Sequence, residues 1–197
     1  MTKIKTRKTM FNLILDLLFP RFGKDFKTGY LGDLRQFKSF QREDILVCGK
    51  YFLLKDFIHR AKFEGEFAIA TEFADLIICK NLNLPDLITA VPPDPVRLGQ
   101  RGYHLPYKIA KSLGHKLNLP FEEIATKIKH TQSQIDLDKQ KRIGNLKQVF
   151  CAKKTDKKNI WLIDDVATTG TTLQEVEKAI LLANPSSKIV KIVISSE

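Results

Sequence analysis

The chain has 197 residues, enough for one α/β domain of ordinary size plus a modest extension and too few for two large domains. Its three cysteines (Cys48, Cys79, Cys151) form no C-x-x-C pair and its four histidines show no metal-ligand spacing, which excludes a zinc ribbon and a disulfide framework. The formal net charge of +11 is concentrated: residues 1–50 hold 11 Lys/Arg against 5 Asp/Glu, and residues 127–158 hold 10 against 3.

Such segments suit a polyanionic partner, although solvated lysines of a basic cytoplasmic protein give the same count. The odd cysteine number suits a reducing compartment, with each cysteine acting as a small apolar packing residue. At the N-terminus, Lys3, Lys5, Arg7 and Lys8 precede the apolar stretch 10–19, which mimics a secretory signal. Asp16 interrupts that stretch, Pro20-Arg21 follows it, and no small-residue cleavage site is present, so the expectation is a short amphipathic helix in a cytoplasmic protein. No run is long enough to span a bilayer.

Two helices follow. Leu54, Phe57, Ile58 and Ala61 share one face over 51–61, and Ile69, Ala70, Phe73 and Ile77 share one over 67–78. Residues 86–91 form a short apolar strand stopped by Pro92-Pro93, and 105–117 form a helix with Pro106 in its permitted first turn. Residues 127–147 are polar, basic and aperiodic, which predicts a long loop of the kind usually kept for function. A strand near Val149-Phe150, a strand from Ile160, a helix carrying Leu173, Val176, Ile180 and Leu181, and a last strand over 189–194 complete the order. Strands alternating with helices predict an α/β fold with a mostly parallel sheet flanked by helices. The predicted organisation is a basic N-terminal extension, 1–50, followed by a domain, 51–197.

One segment carries the chemistry. The apolar run 160–163 ends in Asp164 and Asp165, and a loop of Ala167, Thr168, Thr169, Gly170, Thr171 and Thr172 leads into the next helix. Gly170 permits a tight turn, threonine hydroxyls donate, and the unpaired N–H groups of a first helical turn favour a phosphate. Adjacent carboxylates would repel that phosphate, so they suit vicinal sugar hydroxyls or a hydrated Mg²⁺. Ribose 5-phosphate combines both halves. An isolated Asp-Asp would fit a strand end whose acids cap the next helix equally well.

The full run resembles the signature of type I phosphoribosyltransferases, which bind 5-phosphoribosyl 1-pyrophosphate (PRPP). The resemblance implies that Asp164 and Asp165 hold the ribose 2′ and 3′ hydroxyls and assist catalysis, and that the loop from Ala167 to Thr172 cradles the 5′-phosphate. It implies a pyrophosphate site at the loop after the first apolar strand, comprising Pro92, Pro93, Asp94, Arg97 and Arg101. Mg²⁺ would arrive with PRPP, without direct protein ligation.

Further stretches are similar to the competence protein F (ComF) family. They are Val91-Pro92-Pro93-Asp94-Pro95 with Arg97 and Arg101-Gly102-Tyr103; Thr131, Gln134, Leu137, Arg142, Asn145 and Phe150; Lys62-Phe63-Glu64-Gly65; and Leu15 to Pro20. This resemblance implies a role in DNA uptake and natural transformation, with PRPP, single-stranded DNA and competence-machinery proteins as partners. Gln134, Arg142 and Asn145 would belong to a flexible loop, and Arg142 would close over bound PRPP. Both basic segments would flank or cover the phosphate site. Lys62 fits a surface lysine at a helix end better than a phosphate ligand.

The departures are specific. No cysteine precedes Cys48, so the four-cysteine zinc module of many family members is lost or degenerate and no zinc is expected. His104 stands where the family usually has Asn, and Asp94 where it usually has His. A metabolic phosphoribosyltransferase acting on a nucleobase or amine, or a PRPP-sensing regulator without turnover, also fits the motif.

Overall fold

The sheet is built around β6 (Asn159–Ala167), whose neighbours β3 (Leu87–Ala90) and β7 (Lys188–Ser196) both pair with it in parallel. Strands buried on both faces read as continuous apolar runs, and 160–163 is such a run. By strand alternation, Ile160 and Leu162 pack with Leu173, Val176 and Ile180 of α4 (Thr171–Ala183), whereas Trp161 and Ile163 face the other way. That opposite face meets α3 (Leu105–Leu117), which in turn packs on α2 (Ala68–Ile78).

The sheet order is β1-β2-β7-β6-β3. β2 (Ile45–Lys50) joins β7 in parallel, and β1 (Phe40–Arg42) adds an antiparallel edge. A second, two-stranded sheet pairs β4 (Ala125–Lys127) with β5 (Phe150–Ala152) on the α4 side. α1 (Tyr51–Phe63) follows β2 directly and buries Leu54, Ile58 and Ala61. The expected α/β class, with a mostly parallel sheet flanked by helices, is the observed one.

The computed structural model describes residues 30–95, 98–99, 102–128 and 149–196. Residues Leu34–Glu197 form one unit, and of the other, Met1–Asp33, only 30–33 are described. The amphipathic helix expected at 10–19 therefore lies outside the described residues. The sequence groups residues 40–50 with the extension, yet they contribute β1 and β2 to the sheet. Lys127, expected to open the long loop, instead ends β4. Of the cysteines expected to pack inside, only Cys48 is buried, and burial pushes its thiol up to about 12; Cys79 and Cys151 are exposed.

One ion cluster ties the layers together. Lys191 on β7 is 1% exposed and bonds both Asp44, in the β1–β2 turn, and Glu177 of α4. Burial opposes its charge, but the two carboxylate bonds outweigh that effect and raise its pKa, while the Lys191 bond lowers that of Asp44. Among the described residues, no helix is long and apolar enough to cross a membrane.

Candidate functional site

Parallel strands end together, so the loops that leave them gather at one edge of the sheet. The loop after β3 supplies Pro92, Pro93 and Asp94, and the end of β6 supplies Asp164 and Asp165. The start of α4 adds Thr168, Thr171 and Thr172, and all eight residues line one cavity of about 710 Å³. Residues 70 positions apart in sequence are thereby brought into a single site.

The β6–α4 turn is stricter than its composition suggests. Gly170 adopts φ 74° and ψ −6°, a left-handed conformation natural to glycine, and its carbonyl accepts the first helical bond from Gln174 N–H at 3.1 Å. Gly170 has no side chain to cap the helix, and Thr169 Oγ1 accepts from Thr171 N–H at 3.4 Å. Thr169 is exposed, with its hydroxyl 2.9 Å from that of Thr171. Ala167, expected in the phosphate loop, is the buried last residue of β6. Its carbonyl accepts from the Arg42 guanidinium at 3.4 Å, and the same guanidinium bonds Ser196 Oγ at the end of β7. Arg42 thus braces the strand ends beneath the turn.

The two acids differ in state. Asp165 is 8% exposed, and its Oδ1 accepts from Lys62 Nζ at 2.7 Å. Its backbone N–H donates to Asp164 Oδ1 at 2.9 Å. Burial, reinforced by the Asp165 charge, pushes Asp164 up to about 8. At neutral pH burial therefore keeps the proton on Asp164.

The second ring of groups is mixed. Lys127 Nζ donates to Asp94 Oδ2 at 2.5 Å, so that aspartate is paired within the cavity wall. Glu175, also in the wall, accepts from Lys178 at 2.9 Å. Burial holds the His104 imidazole down at about 4, so it is neutral at physiological pH. Tyr103 is nearly buried and its hydroxyl has no hydrogen-bond partner among the described residues. Burial and the nearby charge of Asp165 raise that phenol to about 12. Among the described residues, no cluster of three or more His, Cys, Asp or Glu side chains is placed to hold a metal ion.

Lys62 is the correction that matters most. Its residue type and place at a helix end suggest a solvated surface lysine, but it reaches across 103 positions to the Asp165 carboxylate. The available signal was its membership of the stripe Tyr51, Lys55, His59, Lys62 on α1, which repeats at helical spacing. Residues 153–158, expected with the rest of the second basic segment to cover the phosphate site, immediately precede β6 and so lie at the opposite end of that strand. Asn184 fixes their loop, accepting from Thr155 N–H at 2.7 Å and donating to the Lys153 carbonyl at 3.0 Å. Arg97, Arg101, Gln134, Arg142 and Asn145 lie outside the described residues.

Known proteins share this chain's features to measured degrees. It is 31% identical over 159 residues to the competence protein F of Haemophilus influenzae, covering 74% of this chain and 69% of that protein. It is 28% identical over 138 residues to the DNA utilization protein YhgH of Escherichia coli, of whose length it spans 61%. Among solved structures, a glutamine PRPP amidotransferase from B. subtilis aligns at a TM-score of 0.46 and 14% identity, over 64% of this chain and 26% of that one. No family model matches.

Proposed function

Because the chain belongs to the competence protein F family, we propose that it is a cytoplasmic PRPP-binding protein of DNA uptake, acting on or near internalised single-stranded DNA. One observation carries the ligand assignment: Asp164 and Asp165 share a cavity with Thr168, Thr171 and Thr172 at the N-terminus of α4. The first turn of that helix would take the 5′-phosphate on its N–H groups and threonine hydroxyls, the Thr169 hydroxyl yielding the Thr171 N–H.

The unequal carboxylates fit vicinal hydroxyls. Asp165, held by Lys62, accepts a hydrogen bond from one ribose hydroxyl. Asp164, protonated at neutral pH, has both a donor and an acceptor for the other, which relieves the burial of its acid group. The loop Pro92–Asp94 would border the pyrophosphate, where the Asp94 charge is already neutralised by Lys127. Arg97, Arg101 and Arg142 are proposed to add cations around the bound ligand.

Mg²⁺ would ride on the oxygens of PRPP itself, with Asp164 and Asp165 as the acids nearest to it, and would supply charge to stabilise a leaving pyrophosphate. Transfer, if it occurs, would displace that pyrophosphate from ribose C1 by an acceptor nucleophile. The chain's own share would be positioning, charge and the exclusion of water.

The DNA side draws support from the two relatives, a competence protein and a DNA utilization protein by name, and from the +11 charge. Single-stranded DNA and competence proteins are the proposed partners, and the basic segment within residues 1–33 is proposed to contribute to DNA binding. Calorimetric titration of PRPP with Mg²⁺ tests the central claim: binding is expected for the wild type and lost in Asp164→Asn/Asp165→Asn. A folded wild type that takes up no PRPP would overturn it.

A further inference from the structure

The cavity has a wall that PRPP recognition does not explain. Tyr51, Lys55, Ile58, His59, Lys62 and Phe63 of α1 all line it. Their three- and four-residue spacings make one stripe, which runs roughly 18 Å along the helix at about 1.5 Å per residue. Only Ile58 of the six belongs to the buried face of α1.

The stripe has the wrong chemistry for a solvated helix face. An amphipathic helix gains nothing by presenting rings to water, yet Phe63 is 54% exposed, and the His59 ring lies against it with centroids 4.8 Å apart. Glu64 Oε1, 3.1 Å from His59 Nδ1, fixes the imidazole. A second ring pair borders the same space, since Tyr103 stacks on Phe67 with centroids 4.4 Å apart and keeps its buried hydroxyl unpartnered.

Charge completes the pattern. Lys62 and Lys127 are neutralised by Asp165 and Asp94. Lys55 has no acid partner among the described residues, one turn from His59. A held pair of rings beside an uncompensated cation recognises a planar base attached to a phosphate. Lys55 is thus the lysine of this lining without an acid partner among the described residues, which places such a phosphate on the Lys55 side.

We propose that the α1 stripe is a nucleotide subsite that seats one base of single-stranded DNA against His59 and Phe63, with its phosphate on Lys55. The subsite abuts the carboxylate pair through Lys62, so the base would lie next to PRPP. This assignment of the acceptor side rests on the PRPP reading, but its own contacts do not use PRPP.

The test uses the full chain and three probes: a fluorescein-labelled oligothymidylate, the same strand with abasic sites, and thymidine 5′-monophosphate. Anisotropy should show binding of the intact strand that weakens about tenfold or more in His59→Ala/Phe63→Ala and in Lys55→Glu. Removing the bases should weaken wild-type binding similarly. Monophosphate should displace the strand, as a site that seats one base and one phosphate requires. PRPP titration of His59→Ala/Phe63→Ala should match the wild type, and its circular dichroism should be unchanged. An abasic strand that binds as tightly as the intact one, full affinity in the variants, or failure of the monophosphate to displace the strand would each overturn the proposal. If the wild type binds no PRPP while strand binding still depends on the stripe, the PRPP reading falls and the subsite stands.

Discussion

Lys62 Nζ lies 2.7 Å from Asp165 Oδ1 and joins the last turn of α1 to the end of β6. Both side chains are largely shielded, at 20% and 11% exposure, so neither charge is well solvated once the other is gone. Lys62→Met should cost about 1–3 kcal/mol in urea denaturation, because a shielded carboxylate loses its partner. In Lys62→Met/Asp165→Asn the total loss should fall well below the sum of the two single losses, and strict additivity would mean that the bridge carries no coupling.

Burial, with Asp165 beside it, sets the state of the neighbouring acid. Asp164 is pushed up to about 8 by burial and by the Asp165 charge, against an ordinary value of 3.8. The native protein thus keeps a proton that the unfolded chain releases. Its stabilising contribution is complete below the ordinary value and declines as pH rises through about 8. Asp164→Asn cannot titrate, so its melting temperature should exceed that of the wild type above pH 8 by on the order of a few degrees. The gap should close below pH 4. A constant difference across this range would show that Asp164 titrates alike in the native and unfolded states.

Gly170 gives a prediction with a geometric cause. Alanine there would hold a left-handed backbone, and its Cβ would sit 3.1 Å from Ile45 Cδ1. The backbone conformation alone costs about 1–2 kcal/mol, and the Ile45 tip must also yield. Gly170→Ala should therefore lower stability by about that amount and weaken PRPP binding further, since the turn that aims the helix N-terminus must shift. Unchanged PRPP affinity in a destabilised variant would separate the turn from ligand binding.

The legible parts of this chain are those whose signal is local. The helix expected at 105–117 is α3 to the residue, because Leu105, Ile109, Ala110 and Leu113 repeat on one face and Pro106 fits its first turn. The run 160–163 marks β6, although the strand extends to Ala167 because β7 pairs with Asp164, Val166 and Ala167 as well. Apolarity ends at the acids, but backbone pairing does not. Residues 40–50 were hidden by their charge and by the shortness of β1, whose partner lies in the β1–β2 hairpin itself. Neither Lys62 nor Arg42 announces its contact, since those bonds span 103 and 125 positions and depend on how the layers stack. The α1 stripe was visible as a pattern, but only the cavity shows that its rings and lysines face the carboxylates' space.

Tyr103 separates a ligand-binding role from a packing role. Its hydroxyl is buried without a partner among the described residues, an arrangement that costs the folded protein about 1–3 kcal/mol relative to a satisfied group. Tyr103→Phe keeps the ring that stacks on Phe67 and removes only that hydroxyl. Stability in the absence of ligand should be unchanged or rise by up to about 1 kcal/mol. If the hydroxyl serves a ligand beside Asp165, affinity for PRPP or for the oligothymidylate should fall by about tenfold, which corresponds to about 1.4 kcal/mol. Denaturation and calorimetry on the same preparations give both quantities. A variant that is more stable and binds both ligands as well as the wild type would leave the hydroxyl without a role, and the strain of burying it would then be a cost of packing alone.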